Sequence, residues 1–430
     1  MKQILFGSLL LVFCALFSGA QTPKPEVARG KSRKVNLDGL EVRLNEPVQV
    51  TAQVGWHMNG ASFDGWSFIH LTPMLAKFPK GELIATYALD PDTQHNPFFL
   101  SAFQTSKDGG ANWSTRYGVL MQHIPMIFIP DKDDSLIAVA SELLVGKSGN
   151  GQKLEGPFLR FEQGGKRMVM EPDGVQVLDW PWPLQLNANS QPQSNWHSSL
   201  QLTGDAIRVR GQLLATAYWK RKGDPKYANG LLLSKDGGHT WRFYSTIATA
   251  EDVLPRDDWK QKGFEGPDET SMIRLADGEL MAVFRVGGSL DWKLRRSYSR
   301  DDGRTWSKPD TLPAYSVEPR LVRMANGTIA LSSGRPGIGL WLSTDAKAQS
   351  WQYIDIVATH NSFSTDQSYR IAPLDADHPE KMWQTSSYTG LLEIAKNRLL
   401  LLYDRDPERA PSGPDDSSRV FLMSIEIERK

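Results

Sequence analysis

The sequence predicts an all-β fold, a six-bladed β-propeller of four-stranded antiparallel blades, on three observations. An eight-residue turn is spelled three times: SKDGGANW at 106–113, SKDGGHTW at 234–241 and SRDDGRTW at 299–306. A longer two-strand unit recurs six times. No stretch sustains a helical period. Repeats of this kind arise when one unit cannot bury its own apolar surface and must stack on its neighbours or close into a ring.

Each octet fits S-x-D-x-G-x-(T/N)-W. Its centre is hairpin-turn chemistry, because glycine accepts positive φ and aspartate bonds backbone N–H groups across a turn. The tryptophan then lies back over the hairpin and buries a large apolar face. On this reading Asp108, Asp236 and Asp301 are scaffold. A degraded fourth copy runs from Ser343 and Asp345 to Trp351; it lacks the glycine and is one residue longer.

The two-strand units are PMLAKFPKGELIATY from Pro73, PMIFIPDKDDSLIAVA from Pro125 and IRVRGQLLATAY from Ile207. The remaining three are TSMIRLADGELMAVF from Thr270, PRLVRMANGTIALSS from Pro319 and TGLLEIAKNRLLLLY from Thr389. Each is two strands around a tight turn, and several run on into an octet hairpin. The two ends of the chain, KVNLDGLEVRL at 34–44 and RVFLMSIEIE at 419–428, are strand-like. One is expected to complete the blade begun by the other and so close the ring. The stretch 146–195 holds no clear unit and is expected to be a hairpin-bearing insertion between the second and third blades.

A chain of 430 residues suits one large closed β architecture or two smaller domains. Acidic and basic residues balance at 49 each, so no long-range field draws nucleic acid or an anionic membrane. The first twenty residues differ from the rest. Lys2, the run ILFGSLLLVFCALF and then Ser18-Gly19-Ala20 make a secretory signal peptide, too short for a confident membrane span. The expected organisation is therefore a signal at 1–20, a linker at 21–33 and the propeller at 34–430, in a secreted or periplasmic protein with no membrane span once the signal is removed. Cutting near Ala20 would remove Cys14, the one cysteine of the sequence, and leave stability to the core alone.

The two-strand units also carry polar residues at matching positions. In GPDETSMIRLADGELMAVFR, Glu269 precedes the Asp277-Gly278 turn, and Arg285 stands sixteen positions after it. Arg335 lies eight before Ser343 of the degraded octet, and Tyr388 opens the last unit with Asp404 sixteen on. With the octets, this pattern resembles the sialidase superfamily, six-bladed propellers whose octet is the Asp-box. The resemblance covers roughly residues 65 to 425. It implies a glycosidase with Tyr388 as nucleophile, Glu269 as its base, and Arg285 and Arg335 on the carboxylate of the sugar. By register, Glu269, Glu318 and Tyr388 begin inner strands, and Arg285, Arg335 and Asp404 sit at the matching far ends. All are expected to converge on one axial pocket and, apart from Tyr388 and Glu269, to bind substrate.

One departure stands out. The family opens its first unit with Arg-Ile-Pro; aligning Pro73 with that proline puts Leu71, beside His70, where the first arginine belongs. Two arginines can still hold a carboxylate, since one guanidinium already gives bidentate geometry. The loss also admits a uronic acid, a related keto-sugar acid or a neutral deoxy-sugar.

Sialidases use a tyrosine because a carboxylate nucleophile would repel a substrate bearing its own carboxylate at the anomeric carbon. A phenol is inert at its ordinary pKa near 10, so an adjacent carboxylate must take its proton. The general acid of the family lies on a loop after the first unit, here ALDPDTQHNPFF, which offers Asp90 and Asp92. His70, His123 and His197 fall near inner-strand starts and are further substrate-binding or acid candidates. No metal-ligand spacing and no cofactor motif is present. Trp180 and Trp182 of DWPWP are either a sugar-stacking platform or the core of the insertion. Three functions compete: an exo-glycosidase releasing a terminal acidic sugar from a glycan, a non-catalytic sugar-binding propeller, and a protein-binding scaffold.

Overall fold

The structure is a computed structural model. It describes residues 30–430 except 52–56, 59–60, 63–68, 91–99, 115–116, 121–124, 141, 149–150, 157, 171–173, 185, 188–195, 261–263, 289–292, 316, 374–382 and 406–418. The described residues form six mainly antiparallel sheets in a β-propeller ring, with a separate two-stranded hairpin at His57–Met58 and Ala61–Ser62. Blade 1 is Ile69–Lys77, Leu83–Asp90, Leu100–Ser106 and Tyr117–Leu120, from the axis outward. Blade 3 is Trp196–Val209, Gln212–Lys220, Tyr227–Ser234 and Thr240–Ala248. Blade 4 is Gly266–Arg274, Leu280–Gly287, Lys293–Ser299 and Asp310–Tyr315, and blade 5 is Arg320–Arg323, Ile329–Gly334, Ile338–Ser343 and Gln352–Asp355.

The ring closes through blade 6. Its inner strands Thr389–Ala395, Arg398–Arg405 and Arg419–Arg429 come from the C-terminal end of the chain. Leu40–Asn45 then pairs antiparallel with Arg419–Arg429, and Ser32–Leu37 pairs with Leu40–Asn45 as the outermost strand. That first strand begins at Ser32, inside the stretch expected to be linker.

Inner and middle strands read as continuous apolar runs because both faces of a blade pack on neighbours. In blade 6, Leu399, Leu401 and Tyr403 face Leu340, Leu342 and Ile354 of blade 5. Leu400 and Leu402 on the other face meet Leu83, Ala85 and Tyr87 of blade 1. Each leucine so buried contributes roughly 1.5–3 kcal/mol.

The octets staple the third and fourth strands of blades 1, 3 and 4. In each, the serine hydroxyl donates to the aspartate at 2.9 Å. The aspartate accepts the backbone N–H four residues on, from Asn112, Thr240 or Thr305, also at 2.9 Å. The tryptophan indole donates to the glycine carbonyl at 3.1, 2.8 and 3.2 Å. The Thr305 backbone N–H and hydroxyl hold the Asp301 carboxyl down at about 2. These aspartates are spent on turn geometry, as their spacing indicates.

The stretch 146–195 is not one insertion between blades. Phe158–Glu162 pairs with Ser135–Ala140 on one side and Arg167–Met170 on the other, so these are the third and fourth strands of blade 2, whose first two are Pro125–Asp131 and Ser135–Ala140. They are joined by a Gln163-Gly164-Gly165 turn, all three at positive φ, that does the work of the octet without its aspartate or tryptophan. What is inserted is the hairpin Glu142–Ser148 and Gly151–Gly156, between the second and third strands of blade 2. Val175–Leu178 pairs with that hairpin on one side and in parallel with the outer strand of blade 3 on the other. Trp180 and Trp182 pack on Trp219 and Phe243 of blade 3; Trp182 stacks on Trp219 at 5.9 Å, and Arg221 lies 4.0 Å over its ring. The core reading of DWPWP therefore holds over the open platform.

A short helix, Ile356–Asn361, carries His360, which is fully buried against blade 6. One ring nitrogen lies 2.8 Å from the Tyr403 hydroxyl and the other 2.8 Å from the Tyr369 carbonyl. The carbonyl only accepts, so Nε2 carries the proton and Nδ1 accepts from Tyr403. Burial pushes this imidazole down to about 4. The folded state thus prefers the neutral ring, so its contribution is complete above pH 6.5 and is lost as pH falls toward 4. The loss, taken over the full shift, is about 3 kcal/mol. We expect thermal melts of the wild type to fall across pH 6.5 to 4.5, and His360→Gln to flatten that slope even though it melts lower at pH 7. An unchanged slope would contradict this.

Candidate active site

At the axial end where the inner strands begin, three blades deliver polar groups to one point. Blade 4 supplies Glu269 and Arg285, sixteen residues apart and brought together because the first two strands of the blade form a hairpin. Arg285 donates to Glu269 Oε1 at 3.1 Å. Tyr388, entering blade 6, donates its hydroxyl to the same oxygen at 2.6 Å. The backbone N–H of Glu318, entering blade 5, donates to Glu269 Oε2 at 2.8 Å. Glu269 is thereby fixed by three donors from three blades.

Burial and then the Glu269 charge push the Tyr388 phenol well above its ordinary value, with Arg285 pulling the other way. The phenol is therefore neutral at rest and needs a base, and the carboxylate at 2.6 Å is placed to be one. Glu318, Arg335 and Ser387 all hold positive φ, at 27°, 60° and 69°. Non-glycine strain of this kind is kept where the surroundings over-determine the backbone, commonly at functional sites.

Asp268 was not singled out by the sequence, yet it belongs to the cluster. The pairing of blade 4 slips between Pro267 and Thr270, so Asp268 and Glu269 together oppose Arg285. A β-bulge of this kind aims two consecutive side chains the same way. Asp268 Oδ2 lies 3.9 Å from the Arg285 guanidinium, and Glu265 approaches it at 3.9 Å. Burial pushes the Asp268 carboxyl well up, against the pull of Arg285. Gly287 makes room: a Cβ there would collide with the carboxylates of Glu265 and Asp268.

Two residues expected to contact substrate do something else. Asp404 is 0 % exposed and accepts from the Thr385 hydroxyl at 2.7 Å and the Ser386 N–H at 3.0 Å. It is one methylene shorter than glutamate and holds the loop that presents Tyr388 instead of reaching the axis. Glu318 is 2 % exposed, and its carboxylate is ion-paired with Arg320. Arg335 remains partly exposed, with one Nη 3.4 Å from the Ser386 carbonyl.

Other candidates are placed only in part. Asp90 ends the second strand of blade 1, and His70 and His197 lie in the inner strands of blades 1 and 3; their side chains lie outside the described residues. Asp92 and His123 fall wholly outside them. Among the described residues no group of three or more His, Cys, Asp or Glu could hold a metal ion, and no helix is long and apolar enough to cross a membrane. A cleft of about 510 Å³ lies away from this cluster, between the turns of blades 4 and 5; Lys347 and Arg300 there are ion-paired with Glu279.

A family profile described as a BNR repeat-like domain matches residues 179–389. No curated protein sequence matches the chain. Among solved structures, a protein of unknown function from Dyadobacter fermentans is similar over 90% of this chain and 99% of its own, at 18% identity and TM-score 0.62. The Hadza microbial sialidase Hz136 is similar over 88% of this chain and 68% of its own, at 16% identity and TM-score 0.54. An alpha-L-arabinanase from Penicillium chrysogenum, solved with arabinobiose, is similar over 88% of this chain and 98% of its own, at 13% identity and TM-score 0.54. Residues 179–389 thus carry a BNR repeat-like domain, within a six-bladed propeller whose fold is similar to those of the sialidase and the arabinanase. At these identities the structural likeness speaks to the fold.

Proposed function

We propose that the chain is a retaining exo-glycosidase that removes a terminal acidic sugar from glycans outside the cytoplasm. The observation that carries this is the Tyr388–Glu269 hydrogen bond of 2.6 Å, with Arg285 on the same carboxylate oxygen. Glu269 takes the phenolic proton as the Tyr388 oxygen attacks the anomeric carbon. The glycosidic C–O bond breaks, and the leaving oxygen takes a proton from Asp90 or Asp92. Water then cleaves the glycosyl–tyrosine bond, giving one proton back to that acid while Glu269 returns the other to Tyr388. Arg335, with Arg285 beside it, holds the sugar carboxylate. Neighbours of the same fold that are glycosidases by name, a sialidase and an arabinanase, support the reaction class.

A second reading has its own support. Glu269, Asp268 and Glu265 already face Arg285, and Leu71 replaces the first arginine. Little positive charge is then left over for a carboxylate, which favours a neutral sugar.

A panel of chromogenic glycosides bearing sialic acid, uronic acids and deoxy-sugars separates the readings. The first expects release from an acidic glycoside, with Arg335→Met raising KM about 10- to 100-fold and leaving kcat nearly unchanged, as loss of uniform binding does. Release from neutral glycosides only, indifferent to Arg335, would establish the second. Glycan binding with no release would leave a binding propeller.

A further inference from the structure

Arg320 is a buried cation that the proposed mechanism does not use. It stands two residues beyond Glu318, at the start of the inner strand of blade 5, and is 4 % exposed. Its guanidinium crosses the propeller axis. One nitrogen donates to the Gly204 carbonyl of blade 3 at 2.9 Å. The other meets the Met74 sulfur of blade 1 at 2.7 Å and the Glu318 carboxylate. Gly204 is itself in a bulge of its strand, where the register slips between Thr203 and Ala206, and a Cβ there would collide with the Thr270 carbonyl of blade 4.

A buried ion pair is a poor source of stability. Desolvating two charges offsets most of their attraction, and an apolar pair of similar volume often serves the fold as well. An arginine retained there calls for another account, and its one carboxylate partner supplies it. Glu318 holds φ at 27°, a conformation that costs about 1–3 kcal/mol unless something fixes it. The side chain of Glu318 is anchored by Arg320, while its backbone N–H is the donor to Glu269 Oε2 at 2.8 Å.

We propose that Arg320 is a positioning residue: from beneath the site it anchors Glu318 in its strained conformation and so aims the N–H that holds Glu269. The proposal rests on Glu269 being the base of the reaction. Arg320 touches no substrate. It acts through Glu318 by fixing the orientation of the Glu269 carboxylate and by keeping a donor on its charged form.

Loss of that donor has a direction. A hydrogen bond to a carboxylate favours the ionised form. Without it the carboxylate is held by two donors instead of three and turns from the Tyr388 hydroxyl, so turnover falls while substrate binding is kept. The charged and titratable groups facing Glu269 are Arg285 and Asp268 of its own blade, Glu318 of blade 5, Tyr388 of blade 6 and Tyr218 of blade 3. Of these, Arg320 bonds Glu318.

The test compares Arg320→Met with Arg296→Met in the full chain, on the best glycoside from the panel. Arg296 is an equally buried arginine, ion-paired with Asp310 and bonded to the Ala348 carbonyl, away from the site. Both variants should melt lower. Only Arg320→Met should lose about 10- to 100-fold in kcat with KM little changed. If Arg320→Met does not fold, Arg320→Lys is read the same way, because a single ammonium cannot reproduce the fork that spans Gly204 and Glu318. An Arg320 variant that folds with normal kcat would reduce the residue to a tie between blades. That outcome, beside an inactive Tyr388→Phe, overturns this inference alone. An active Tyr388→Phe overturns the mechanism on which it rests.

Discussion

Tyr388→Phe is expected to lower kcat by about 10³-fold or more while the protein still folds. The phenyl ring fills the same space, and the fold loses one hydrogen bond, that to Glu269 at 2.6 Å. A hydrogen bond to a charged group is worth about 1.5–3 kcal/mol net, or several degrees in the melting temperature of a large domain. Glu269 keeps its Arg285 and Glu318 partners, so the carboxylate stays in place with nothing to deprotonate. Steady-state kinetics beside a thermal melt checks both halves. Near-normal turnover in a folded variant would remove the tyrosine from the chemistry.

Glu269→Gln is the second large effect. The amide matches the carboxylate in shape and still accepts at one oxygen, but it takes no proton; kcat should fall by about 10²- to 10⁴-fold. The fold should tolerate this better than loss of a buried ion-pair partner usually allows, which is about 3–5 kcal/mol. The reason is Asp268. Its carboxyl, held up by burial, lies 3.9 Å from Arg285 and can ionise in place of Glu269. Glu269→Gln with Asp268→Asn should therefore destabilise by more than the two single changes added, as coupled partners do. Additive melts would show that the two carboxyls do not share Arg285.

The sequence made the ring and half of the site legible. Octet turns and apolar runs announce blades because each reports a local rule, turn chemistry or two-sided burial. Glu269 with Arg285, and Tyr388, followed from position within the repeat, since equivalent points of different blades meet at the axis. Blade 2 was obscured because its Gln163-Gly164-Gly165 turn lacks the aspartate and tryptophan, and because a hairpin splits its second and third strands. Asp268 was hidden by strand alternation, which sends neighbours to opposite faces; the bulge that cancels it leaves no mark in the letters GPDET. Arg320 was hidden because Glu318, two residues before it, stands in a bend at φ 27° outside the strand that Arg320 opens, so strand alternation does not link the two. Asp404 was placed by its spacing from Tyr388, but nothing in the letters shows that it turns to the Thr385 hydroxyl and the Ser386 N–H and so supports the Tyr388 loop.

The central claim is that Tyr388 bonds covalently to the sugar with Glu269 as its base. Its most direct test is to quench the enzyme during turnover of a fluorinated glycoside, chosen so that the covalent intermediate breaks down slowly, and map the digested protein by mass spectrometry. The account expects a glycosyl mass on the peptide carrying Tyr388, absent from Tyr388→Phe. A glycosyl mass on Glu269 instead, or an unmodified protein that releases sugar with inverted configuration, would contradict it.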